Sequence, residues 1–232
     1  MSAMTQGRKI SIALSCAAII GGILFFVFSR SEPDRTIPAA PDQSERSFAE
    51  EGVEAEMPAG DISTRNFSSP LDNAAARVIK KPFGIFITKE NSPVQPERFG
   101  GYHTGADFEV FPQEEIADVI VRAVCAGTVR LKKSVSGYGG VLVQECVMER
   151  EPFTVVYGHM DLSSISVAVG AKIARGEEIG ILGDAYSAET DAERKHLHLG
   201  FHTGSAIELR GYVQARAELA AWMDPCDFIC DE

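Results

Sequence analysis

The residue types best suited to holding a divalent cation gather in three short stretches: His103-Thr-Gly-Ala-Asp107, Tyr157-Gly-His159 and His196-Leu-His198. Imidazole nitrogens with one carboxylate make a donor set that zinc-type ions accept. The chain has five histidines, and four of them lie in these stretches. A lone H-x-x-x-D recurs by chance, and a lone H-x-H in a strand is often two packed side chains. Together, the clusters point to a metal-dependent enzyme.

Such residues need a rigid scaffold, and the surrounding sequence reads as β. Thr128–Lys132 alternates polar and apolar residues, as a half-buried strand does. Ser136–Gly140 is turn material and leads into Val141–Val143. Phe153–Tyr157 is rich in β-branched and aromatic residues. Val167–Gly170 and Ile179–Gly183 supply further short strands with glycine breaks. Strands at this spacing predict a mainly β domain, a sandwich or barrel. Helical spacing of Leu209, Val213, Ala217 and Ala220 predicts one helix within Gly204–Met223.

On a strand, residues i and i+2 share a face. His196 and His198 therefore project together, while Leu197, Leu199 and Phe201 enter the core. By the same parity Tyr157, His159 and Asp161 share a face. His103 and Asp107 sit among Gly100, Gly101 and Gly105, where a loop can aim both inward.

The rest of the 232 residues is organised differently. Residues 10–28 form an uncharged run of 19 residues, just enough for a helix to cross about 30 Å of hydrocarbon. Arg8 and Lys9 precede it, which favours a cytoplasmic stretch at 1–9 and an extracytoplasmic domain. The alternative is a cleaved signal peptide and a secreted protein, although Val27-Phe28-Ser29 is a poor cleavage site. Residues 29–70, with Pro33, Pro38, Pro41 and Pro58 among Glu, Ser and Ala, read as a disordered tether. The domain is expected over 71–232.

A net charge of −11 argues against a nucleic-acid partner. Outside the apolar run, Cys125 and Cys146 flank a hairpin, and Cys226 and Cys230 would meet on a helical turn. Either pair could be bridged or reduced.

In its motifs the chain resembles the lysostaphin/LytM-type zinc metalloendopeptidases of bacterial peptidoglycan. The matching elements are His103–Asp107, Tyr157–His159 and His196–His198, in the family's order. Ala126–Val129, Gly137-Tyr-Gly139, Gly176-Glu177 and Asp224-Pro225 add support. The likeness covers roughly residues 80–230.

It implies an antiparallel β-sandwich or open barrel of the LytM, duplicated-hybrid-motif type. It also implies Zn2+ held by His103, Asp107 and His198, with His159 and His196 as catalytic histidines outside the ligand set. Two departures stand out. The family often has Gly-Pro before H-x-H, whereas this chain has Arg194-Lys195, and Ser205–Met223 reads as an insertion.

The resulting expectation is a membrane-anchored zinc endopeptidase that cuts peptidoglycan stem peptides or cross-bridges. A silent LytM-like domain that binds or activates another wall hydrolase is the alternative, and a carrier-type β domain is a third reading. A regulatory protein partner is left unspecified.

Overall fold

The computed structural model describes residues 66–230. The apolar run at 10–28 and the tether as far as residue 65 lie outside the described residues. Among the described residues, no helix is long and apolar enough to cross a membrane.

Alternating side chains and short glycine turns give a mainly β, antiparallel domain. In chain order the strands are β1 (Phe86–Ile87), β2 (Gly101–His103), β3 (Ala106–Glu109), β4 (Ile120–Arg122), β5 (Gly127–Val135) and β6 (Gly139–Met148). They continue with β7 (Glu151–Gly158), β8 (Lys172–Ile173), β9 (Glu178–Ile181), β10 (His196–Thr203), β11 (Tyr212–Val213) and β12 (Trp222–Met223). A seven-stranded sheet runs β12-β10-β7-β6-β5-β8, with β3 also paired to β10. A separate three-stranded sheet runs β1-β2-β11, and β4 pairs with β9.

The large sheet buries one face in the main core. Leu142, Val155, Tyr157, Leu197, Leu199 and Phe201 all point there and are nearly inaccessible to solvent. The opposite face carries a smaller apolar cluster of Tyr138, Val141, Val143 and Val156. Beside it lie His196 and His198, because the period of two puts them opposite Leu197 and Leu199.

The expected strands at 128–132, 141–143 and 153–157 fall within β5, β6 and β7, and β9 covers most of 179–183. Two expectations are corrected. Val167–Gly170 is not a strand; Gly170 has φ 90° and turns the chain into β8. Gly204–Met223 is not one helix but β11, a 3-10 turn at Arg216–Ala221 and β12. Its apolar residues serve different neighbours: Leu209 joins the Tyr138 cluster, while Val213 is buried where β11 pairs with β2. The sheet edge thus takes the backbone groups that a helix would have used internally.

Packing also begins inside the stretch expected to be tether. The Phe67 ring lies 5.8 Å from Phe153 and 5.0 Å from Phe228. Both cysteine pairs form disulfides, with Cα–Cα separations of 6.3 Å for Cys125–Cys146 and 4.6 Å for Cys226–Cys230. The second spans the one α-helical turn among the described residues, α1 (Cys226–Ile229).

Candidate metal centre

The β3–β10 register sets His198 opposite Asp107 and His196 opposite Glu109. All four side chains therefore share the face turned away from the main core. His103 arrives from the other sheet, at the end of β2, and the intervening Thr104-Gly105 folds tightly beneath it. Gly105 is required there, because a Cβ would stand 2.3 Å from the Leu199 carbonyl oxygen and 2.8 Å from His198 Nε2.

Three donor atoms converge as a result. His103 Nε2 is 3.1 Å from His198 Nδ1 and 3.3 Å from Asp107 Oδ1. His198 Nδ1 is 3.1 Å from the same carboxylate oxygen. Ligands held at about 2.0–2.1 Å around a tetrahedral ion stand about 3.3 Å apart, so this triangle has the right size. His103, Asp107 and His198 are the residues that could jointly hold a metal ion among those described.

Outer partners orient the donors. The Pro82 carbonyl lies 3.2 Å from His103 Nδ1 and can only accept, so Nδ1 carries the proton and Nε2 offers its lone pair. With His198 Nδ1 turned into the cluster, its Nε2 meets the Tyr138 hydroxyl at 3.3 Å. Burial pushes the His198 imidazole down to about 4, although Asp107 opposes the shift. Burial alone would raise the Asp107 carboxyl, but His196 and His103 outweigh it and hold it well below the usual range. A neutral imidazole and an ionised carboxylate are the forms a cation binds.

His159 and His196 stand beside this triangle with ring centroids 4.2 Å apart. His196 Nδ1 donates to the Arg194 carbonyl at 2.8 Å, which leaves Nε2 facing Asp107 Oδ2 at 3.4 Å. His159 sits just past β7 with φ 64°, a conformation uncommon for histidine. Its amide donates to the Tyr138 carbonyl and its own carbonyl accepts from Gly183, so the turn is held from both sides. Its Nδ1 is buried and has no partner among the described residues. Burial and the neighbouring His196 keep it well below an ordinary imidazole.

The structure thus brings all five expected residues together, but by a different route for one. The turn at His159 breaks the strand parity, so Tyr157 does not share its face. Tyr157 is in the core, where its hydroxyl donates to Gln144 at 2.8 Å and accepts from the Val124 amide at 2.9 Å. His202 is half-buried against Trp222, with ring centroids 4.8 Å apart, outside the cluster.

A cavity of about 290 Å³ opens over the histidines. Its walls include Tyr138, Arg194 and Tyr212, to which sequence reasoning gave no role at the site. The Tyr212 ring lies tilted against His103 with centroids 5.1 Å apart, and its hydroxyl meets Lys81 Nζ at 3.2 Å. Its signal was hidden because the segment read as a helix. Arg194 was visible only as a departure before H-x-H.

Residues 101–209 match the profile of peptidase family M23. Over those residues the chain is similar to the M23 peptidases. All five clustered residues fall inside the M23 match, whereas Lys81 and Tyr212 come from flanking sequence.

A 119-residue stretch is 30% identical to Endolysin 2638A of Staphylococcus phage 2638A, covering 51% of this chain and 23% of that protein. The chain therefore spans less than a quarter of this curated relative. Among solved structures, LytU is 22% identical with TM-score 0.44, covering 65% of this chain and 83% of LytU. The SpoIIIAH–SpoIIQ complex gives 21% and 0.47, covering 70% of this chain and 99% of the matched one. A zinc-containing peptidase from Vibrio cholerae gives 22% and 0.40, covering 63% and 41%.

Proposed function

We propose that this M23 domain is a zinc-dependent endopeptidase that hydrolyses peptide bonds in bacterial peptidoglycan, with the sandwich or open-barrel scaffold of the LytM type. The observation that carries the reading is the triangle of His103, Asp107 and His198 donors, 3.1–3.3 Å on a side, beside two further histidines in one cavity. The match to the M23 profile supports peptide hydrolysis, and the endolysin likeness supports peptidoglycan as the substrate.

His103, Asp107 and His198 would hold the ion. When bound, zinc supplies Lewis acidity that polarises a carbonyl and makes water a stronger acid. The chain's own residues do the rest. His159 lines the cavity with an imidazole kept neutral near pH 7, and its unpartnered Nδ1 can take a proton. His196 has one nitrogen fixed to the Arg194 carbonyl, so only Nε2 is left to exchange a proton with a reacting group. The Tyr138 and Tyr212 rings wall the cavity and restrict water around the peptide.

The proposal includes the setting. Residues 10–28 anchor the chain in the membrane, and the tether that follows lets the domain reach the wall from outside the cytoplasm. The uninterrupted apolar run and the preceding Arg8-Lys9 support this placement.

Incubating sacculi with the zinc-loaded full-length chain tests the activity. Mass spectrometry should find uncoupled stem peptides and intact glycan strands, and a chelator should abolish the release. Several peptidoglycan chemotypes left uncut by a zinc-loaded, folded chain would overturn the enzyme reading and favour a silent binding module.

A further inference from the structure

The two oxygens of Asp107 live in different surroundings. Oδ1 belongs to the donor triangle with His103 and His198. Oδ2 accepts from Arg194 Nη2 at 2.9 Å. Arg194 is itself fixed, since its Nε lies 3.0 Å from both oxygens of Glu109 and its Nη2 lies 2.5 Å from Glu109 Oε1. Glu109 is held in turn by Lys80 Nζ at 3.0 Å. The Arg194 and Glu109 side chains are almost wholly buried, at 11% and 8% exposure.

A carboxylate with both oxygens free can bind a cation through both and occupy two coordination positions. A guanidinium is a planar fork that never releases its charge, so it can reserve one oxygen permanently. We propose that Arg194 is a positioning residue: it reserves Asp107 Oδ2 so that Asp107 joins the metal through Oδ1 alone, keeping a coordination position open for substrate or water. Glu109 offsets the guanidinium charge next to the cation, and Lys80, a partly exposed side chain, pairs with Glu109 in turn. The inference rests on the metal reading above and goes beyond it, by giving a task to the residue that replaces the expected Gly-Pro.

The test uses the full-length chain and reads coordination directly. Cobalt(II) bound to four ligands absorbs visible light several-fold more strongly than cobalt(II) bound to five or six. The wild type should give the intense band. Arg194→Gln should weaken the band, as Asp107 closes on the ion with both oxygens, and should lower zinc affinity by about 10–100-fold. Arg194→Lys, which keeps a cation at Oδ2, should recover most of the band.

A merely structural Arg194 would lower the melting temperature of all these forms and leave the band alone. An unchanged band and unchanged zinc affinity in Arg194→Gln would overturn the proposal. If that variant fails to fold, Glu109→Gln, which leaves the guanidinium without its anchor, must show the weakened band instead, and an unaltered band there overturns the proposal equally. A wild type that takes up neither metal would refute the metal reading itself, which is a separate result.

Discussion

On the proposed function the five clustered side chains divide into two tasks, and substitution would separate them. His198→Ala or His103→Ala removes one of three donors, so bound zinc should fall sharply in elemental analysis. His159→Ala and His196→Ala should keep the zinc and lose about 10²–10⁴-fold in hydrolysis, the usual contribution of a general acid or base. Equal zinc loss in both pairs would show that the division is wrong. A second residue-level prediction concerns Lys81 and Glu97, whose side chains are 4% and 2% exposed and lie 2.5 Å apart. Burial alone would raise the Glu97 carboxyl, but bonds from Lys81 and Ser92 overcome it and the net shift is downward. A carboxylate whose folded pKa is depressed stabilises the fold above its unfolded pKa of about 4.3. That contribution is lost as pH falls through the folded value. Urea melts of Glu97→Gln across pH 2–7 should therefore show a flatter acid limb than the wild type. At neutral pH the variant should lose about 3–5 kcal/mol, because Lys81 is left buried and unpaired. Parallel acid limbs would dissociate the pair from acid stability.

At the level of strands and turns, Gly105 offers the sharpest test. Gly105→Ala would drive a methyl group toward the Leu199 carbonyl and the His198 ring. We expect both a lower melting temperature and reduced zinc content, and a variant with normal zinc uptake would mean that the turn can yield. Much of this level could be read from sequence, because the β-branched and aromatic richness of Phe153–Tyr157 and the His/Leu alternation of His196–Leu199 are local properties of strands. Tyr157 and His159 could not be sorted in the same way, since the positive φ at His159 depends on partners at Tyr138 and Gly183. Leu209 and Val213 misled for a related reason. Their helical spacing is real, yet tertiary pairing with β2 decided the conformation. Arg194, too, acquires meaning only once β3 is known to lie against β10, and no spacing in the sequence announces that pairing.

For the whole molecule, the apolar run at 10–28 leads us to expect that the full-length chain fractionates with membranes and that its domain is open to protease added from the extracytoplasmic side. A mature product beginning near Arg30 and found only in the soluble envelope fraction would favour a cleaved leader. Within the domain, the layout of the donors also bears on stability. His103 belongs to the β1-β2-β11 sheet, whereas Asp107 and His198 belong to the seven-stranded sheet. An ion held by all three would rivet two independently hydrogen-bonded sheets together. At a free-ion level 100 times the dissociation constant it would add about 2.7 kcal/mol to the folded state. The small sheet has few hydrogen bonds of its own and should respond most. Stripping the metal should speed amide exchange in β2 and β11 while β6 and β7 keep their protection, so that metal supply would govern how stiffly the cleft is framed.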